Sequence, residues 1–269
     1  MSVVGKSEKN AEFDRKLSQR LQLALSGSKE SLYNAVADPA PEVMKAALRN
    51  PLIDENHILA LLKRRDLTDE LFKTVFNLET VRESHRLRVA LAQHPLLPAH
   101  LLLQLLHHLY LFELVTVCHL PGLSPDQKAA AERAIIQRLP TTALGNKLTL
   151  ARRAPPPVLE ALLLEGEQAL VELCIANPRL KESSISLFLA GPKANAETIS
   201  MIARHPRWGN RRNVRLAILR NPRTPLVWFV AFLPSFPLTD LKRLFHSQKL
   251  VDLQREAVKE EMGKRGLVD

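Results

Sequence analysis

Between Arg204 and Arg223 the chain places seven arginines, Arg204, Arg207, Arg211, Arg212, Arg215, Arg220 and Arg223, around Trp208 and without one acidic residue. Guanidinium groups at this density neutralise phosphates, and an indole among them offers a base a surface to stack on. The segment is the strongest local charge feature of the sequence. It marks Arg204, Arg207, Trp208, Arg211, Arg212, Arg220 and Arg223 as a candidate anion or nucleic-acid patch. Two of its members also have structural readings. Arg215 belongs to a valine-arginine pair inside a helical pattern, and Trp208, directly after His205-Pro206, is placed to close a loop over a core.

Other chemistry finds little support. Nine histidines are present, but none forms a His-Glu-x-x-His pattern, and the adjacent His107 and His108 face different sides of a helix, so no metal site is assigned. No glycine-rich nucleotide turn, nucleophile elbow or separated pair of acids stands in a recognisable context. Catalytic and cofactor-binding residues are therefore none, and the expectation is a protein that is not an enzyme. The two cysteines, Cys118 and Cys174, lie in apolar segments far apart, which points to a reducing, cytoplasmic setting rather than a disulfide framework.

Composition sets the frame for these residues. With 269 residues and 46% apolar content the chain has ample material for a buried core. Aromatic residues make up 5% and glycine is scarce at nine, while leucine and alanine fill long stretches, a balance that favours helices over strands. The first twenty residues lack the apolar stretch of a signal peptide, and no later run approaches the ~18 residues of a membrane span, so neither export nor a membrane is expected. A formal charge of +10 draws the molecule toward acidic surfaces, nucleic acid among them.

The elements that would position such residues follow from a recurring ending. A helix-period apolar run stops at a small polar residue followed by proline, most clearly at Arg49-Asn50-Pro51, Gln93-His94-Pro95, Ala176-Asn177-Pro178, Arg204-His205-Pro206 and Arg220-Asn221-Pro222. Weaker copies end at Asp38-Pro39 and Ala154-Pro155. Proline cannot continue a helix and pushes the residue before it out of the α region. Asparagine at that place is expected to cap the helix, by adopting the left-handed conformation or by bonding the last carbonyls, and histidine to do the same. Start signals follow at Asp54, Thr68, Ser124-Pro125-Asp126-Gln127, Thr224-Pro225 and Thr239. The apolar run from Leu226 to Leu233 reads as a central helix or an exposed docking face, with burial the favoured reading.

Two residues before each proline the chain carries Arg49, Gln93, Arg153, Ala176, Arg204 and Arg220 in turn. A cation there complements the negative end of the helix dipole. If equivalent positions of stacked units point the same way, Arg49, Arg153, Arg204 and Arg220 also form a repeat ridge able to meet spaced anions.

The stretch Val214-Arg215-Leu216-Ala217-Ile218-Leu219-Arg220-Asn221-Pro222-Arg223-Thr224-Pro225 resembles the bacterial leucine-rich repeat variant, with Arg88 to Pro95 as a partial copy. More loosely, the whole chain is similar to HEAT-like α-solenoids. The iron–sulfur domain that accompanies the founding variant-repeat protein is not implied, since two cysteines cannot ligate it. The resulting expectation is an all-α α-solenoid, a superhelical stack of short antiparallel helix pairs. Residues 1-27 would form an N-terminal helix and capping segment, 28-262 the repeat domain and 263-269 a frayed tail. The expected role is a non-enzymatic scaffold that binds a protein partner through its solenoid surface. Nucleic-acid binding through residues 204-223 is the alternative, and a HEAT-like DNA-repair glycosylase a third.

Overall fold

The structure, a computed structural model, describes residues 4–266, with the backbone alone over residues 4–14. All regular structure among the described residues is helical: nineteen α-helices, three 3-10 turns and no strand. Contacts divide the chain into two compact units, with the boundary in sequence between Ile135 and Ile136.

In the first unit the helices are α1 (Val4–Ser26), α2 (Lys29–Val36), α3 (Pro41–Ala47), α4 (Glu55–Leu61), α5 (Asp69–Phe76), α6 (Glu79–Glu83), α7 (His85–Ala92), α8 (Ala99–Leu105) and α9 (Leu111–Cys118), with α10 (Pro125–Arg138) at its end. Helix α1 packs on α3 and α3 on α5, while α2 packs on α4 and α4 on α7, so two rows lie side by side. Leu32, Ile58, Leu61, Leu71, Phe72, Leu87 and Leu91 are fully buried between them. Each such leucine contributes about 2 kcal/mol over an exposed one.

The second unit repeats the arrangement with α11 (Leu144–Arg153), α12 (Pro156–Leu164), α13 (Gln168–Ala176), α14 (Glu182–Ala190), α15 (Ala196–Arg204), α16 (Arg212–Leu219), α17 (Leu226–Phe232), α18 (Leu238–Phe245) and α19 (Asp252–Lys264). Helices α11, α13 and α15 pack in turn, as do α12, α14 and α16, and α17 then packs on α16 and α19. Two side-chain bonds continue the rows: the indole N–H of Trp228 in α17 donates to Ser200 Oγ in α15 at 2.9 Å, and Arg212 in α16 meets Asp240 in α18 at 2.6 Å. Among the described residues no helix is long and apolar enough to cross a membrane.

Several start signals act as their residue types require. Asp54 accepts the N–H groups of Asn56 and His57, Thr68 accepts that of Leu71, and Ser124 and Gln127 bond reciprocally. Thr224 departs from expectation. Its hydroxyl donates back to Ile218 O at 2.6 Å, and Pro225 stands at the start of α17. Likewise α18 starts at Leu238, behind Pro237 and ahead of Thr239. The run from Leu226 is not buried all round: Phe229 and Phe232 are buried, whereas Val227 and Val230 are 62% and 70% exposed. At the other end α19 passes through Gly263. Arg265 there donates to the carbonyls of Leu233, Pro234 and Phe236, so the tail expected from residue 263 is anchored at least that far; residues 267–269 lie outside the described residues.

The stops work differently from a left-handed cap. Among the described residues no non-glycine residue has a positive φ, and Asn177 and His205 leave their helices extended, at φ −74°, ψ 125° and φ −67°, ψ 126°. That is the conformation a following proline imposes. The pre-proline side chain then turns inward and reaches back along its row. Asn50 Nδ2 donates to Ala24 O and Gly27 O at 3.0 and 3.2 Å, Asn177 Nδ2 to Ala151 O at 2.8 Å and Asn221 Nδ2 to Leu189 O at 2.6 Å. Each Oδ1 accepts the N–H two residues on, at Leu52, Arg179 and Arg223. His94 makes the same pair of bonds, Nε2 to Arg64 O at 2.8 Å and Nδ1 from the N–H of Leu96 at 3.2 Å. After His205 the reach passes to Trp208, whose Nε1 donates to Ile175 O at 2.7 Å. Gly209 makes that loop possible, because a Cβ at its place would run into the carbonyl of Ala203.

The clamp predicts an order of variants. Asn221→Ala leaves the buried Leu189 carbonyl and an N–H without partners and lowers stability by ~2 kcal/mol. Asn221→Asp is worse although isosteric, because a carboxylate offers no donor to that carbonyl and is buried facing it. Urea unfolding followed by the fluorescence of Trp208 and Trp228, both in the second unit, reads the difference. Equal midpoints for the three proteins would remove the clamp from the account.

A pH dependence follows from the His94 copy. Its two bonds require the neutral ring with its proton on Nε2. Burial, outweighing the bond to Arg64, holds its pKa below the ordinary 6.5. The stability it contributes is therefore complete above the unfolded value and is lost as pH falls through the depressed folded one. His94→Asn, which keeps a donor and an acceptor in place, is expected to flatten the fall of the urea midpoint between about pH 7 and pH 5. An unchanged slope would show that His94 does not titrate against folding.

Candidate functional site

The arginine run is mostly engaged in holding the second unit together. Arg207 donates to the carbonyls of Asn177, Pro178 and Leu180, each at 3.0 Å, and its guanidinium lies 4.2 Å from the Trp208 ring centroid. Arg223 donates to Pro192 O and Ala194 O. Arg211 pairs with Glu182 and Arg212 with Asp240, both at 2.6 Å. Arg215 bonds Gly209 O and lies 4.8 Å over Phe232, and Arg204 lies 5.9 Å over Trp228. Trp208 is fully buried, which corrects the expectation that it could stack on a base.

The same device recurs at two further helix ends. Arg64 donates to Val36 O and Asp38 O, and Arg179 to Arg153 O. Arg179, Arg207 and Arg223 each follow the proline of an Asn-Pro or His-Pro pair, so the triplet was visible in the sequence as a signal for a carbonyl clamp. At the opposite helix ends, carboxylates join one helix to another: Glu55 of α4 meets Ser84 and Arg86 at α7 and Glu182 of α14 meets Arg211 and Asn213 at α16, each within one row, while Glu113 of α9 meets His85 of α7. The bonds from Arg211 and Asn213 hold the Glu182 carboxyl below its ordinary range.

The predicted ridge is not one line. In the second unit Arg153 and Arg204 belong to α11 and α15 of one row, with Ala176 of α13 between them, while Arg220 follows α16 of the other. Arg49 follows α3 in the first unit. A pattern aligned only on proline merges the two rows, because both kinds of helix end in the same stop.

What Arg220 does join is a groove. Helices α14 and α16 lie side by side, and the cleft between their C-terminal halves has a volume of about 750 Å³. Ser186, Leu189 and Ala190 line it from α14, and Asn213, Leu216 and Ala217 from α16. In each set the second and third positions lie three and four residues after the first, so each set shares one helix face. Alanine at 190 and 217 leaves room that a longer side chain would fill. At one end stand Arg220, Arg223 and Lys249, and no carboxylate lines the cleft. Arg220 and Lys249 are exposed, and among the described residues their side chains have no hydrogen-bond or ion-pair partner. Arg223 bonds only neutral carbonyls, so its charge too is not offset by an acid.

The first unit has a smaller counterpart, about 440 Å³, between α4 and α7. Leu59, Ala60 and Ala90 form its floor, Tyr33 and Lys63 lie at its edge, and Arg86 there is paired with Glu55 at 3.1 Å. Elsewhere the reactive side chains are muted. Burial pushes the thiols of Cys118 and Cys174 up to about 12, which keeps them protonated and poor nucleophiles. Comparison with protein families, with curated proteins and with solved structures finds no match to this chain.

The two kinds of arginine separate by mutation. Arg207→Ala removes three bonds to carbonyls and is expected to lower stability by ~2–3 kcal/mol, whereas Arg220→Ala changes it by less than ~0.5 kcal/mol. Thermal unfolding of both variants checks this, and a large loss on Arg220→Ala would place that residue among the structural ones.

Proposed function

We propose that this protein is a non-enzymatic binding scaffold of the α-solenoid type, akin to the bacterial leucine-rich repeat variant and HEAT-like proteins, and that its partner is another protein. The observation that carries the reading is the groove between α14 and α16, an aliphatic-floored cleft of about 750 Å³ set on two packed helices. Such a floor gains free energy by burying apolar side chains of a partner, and helices that are already packed lose little freedom on binding. A repeat stack is supported in each unit by helices that pack on their next-but-one neighbours and by clamps whose partners recur at separations of 23 to 32 residues. A cytoplasmic setting belongs with this reading, given two unpaired, buried cysteines.

A protein is favoured over a nucleic acid by what the arginines and the indole are doing. Phosphate recognition along a strand calls for a track of cations and for faces on which bases stack. Here Trp208 is in the core, Arg211 and Arg212 face carboxylates, and no aromatic side chain lines the groove.

The test sets a displayed random-peptide library against labelled duplex and single-stranded DNA and RNA. Ala217→Phe and, independently, Ser186→Trp fill the groove and serve as counter-selection, with circular dichroism verifying their fold. Enrichment of peptides that bind the wild type and neither filled variant is the expected result. No groove-dependent peptide, together with nucleic-acid binding that falls steeply with salt and weakens in an Arg207, Arg211 and Arg212 to Ala variant, would overturn the reading.

A further inference from the structure

We infer that the occupant of the α14–α16 groove is an acidic segment of the partner, one that lays aliphatic side chains on Ala190, Leu216 and Ala217 and turns Asp or Glu carboxylates toward Arg220 and Lys249. The inference rests on the reading of the groove as a protein-binding site and adds the chemistry of what enters it.

Charge complementarity is the first argument. The groove gathers Arg220, Arg223 and Lys249 at one end with no carboxylate on its lining, although acids elsewhere in the unit are matched closely to arginines at 2.6 Å. The helix dipole does not account for the cluster. Arg220 stands at the C-terminal end of α16, where a cation is expected. Lys249 comes from the loop between α18 and α19 and terminates neither wall of the groove, yet it adds a third charge at the same end. Three cations brought together without a counter-ion repel one another, and an anion placed among them relieves that repulsion.

The second argument is the division of the lining. The cations sit at one end and the aliphatic side chains form the floor, so the groove reads charge and apolar shape in adjacent places. A polyanion without apolar groups would satisfy the first and leave the floor wet. A neutral apolar segment would satisfy the second and leave the cations without partners. Within the first unit the counterpart groove has its Arg86 matched by Glu55, which leaves Lys63 as the unmatched cation of its lining and makes it the weaker site for the same ligand.

The experiment continues from the selected peptides, measured by fluorescence anisotropy on the full-length protein. Groove-dependent peptides are expected to be rich in Asp and Glu beside Leu, Ile or Val. Replacing their acids by Asn and Gln, or introducing R220E and K249E together into the protein, is expected to weaken binding at least about tenfold. Peptides carrying Lys in place of the acids should regain affinity for the R220E/K249E protein. Poly-glutamate, which has the charge without the apolar groups, should bind at least about tenfold more weakly than the selected peptides. Arg220 and Lys249 are exposed and unpartnered, so their reversal leaves the fold intact, which unchanged circular dichroism and tryptophan fluorescence would verify. Groove-dependent peptides that are neutral or basic, or acidic peptides indifferent to R220E/K249E, would overturn the inference while leaving the protein-binding reading standing. Recovery of no groove-dependent peptide would remove both.

Discussion

A helix that stops at a proline leaves its last carbonyls without intrahelical partners, and in rows of short helices those ends lie against a neighbour instead of in water. Here the side chain standing before the proline meets that need for the neighbour. Standing directly before a proline, Asn50, His94, Asn177 and Asn221 point inward, donate to a carbonyl near the end of the preceding helix of their row and accept the N–H two residues on. One side chain thus ends its own helix and fastens it to the one before. Only a group with a donor and an acceptor on a short, stiff arm can do both, which is why asparagine and neutral histidine alternate at this place. The rest of the packing depends on it, because a buried carbonyl left unpaired costs about as much as a well-buried methyl pair contributes.

Arginine extends the same logic outward. Arg64, Arg179, Arg207, Arg223 and Arg265 cover carbonyls at the rim of the clamp, and their guanidinium forks suit such ends, since one side chain reaches two or three acceptors. Part of the net charge of +10 therefore has a structural origin. A bond to a carbonyl does not cancel the charge, however. The protein remains basic at helix ends whose arginines are already committed to folding, and a cluster that looks free in the sequence is mostly engaged.

Against that background the groove between α14 and α16 stands out by contrast. Its floor is apolar where a row interior would be filled, and its three cations face no carboxylate. Alanine at 190 and 217 opens the space, and the approach of the loop bearing Lys249 concentrates charge beside it. The clamp residues Asn221 and Arg223 also lie on its wall, so the elements that secure α16 also shape its rim.

Sequence alone determined that the chain is helical, where seven of its helices stop, and which residues start several of them, because these depend on period, on proline and on short-range caps within a few residues. It also marked Asn50, His94, Asn177, His205 and Asn221 as equivalent. What it left undecided was the direction in which those side chains turn, since their acceptors lie 23 to 32 residues away and a local pattern carries no record of them. The same distance separates Arg211 from Glu182 and Arg212 from Asp240, so a run without acids in sequence became paired in space. Trp208, in sequence a surface aromatic among cations, is a core residue because its loop folds onto α13. The groove belongs wholly to tertiary structure: Ala190, Ala217, Arg220 and Lys249 come from two helices, a helix end and a loop, and only the packing of α14 against α16 brings them to one place.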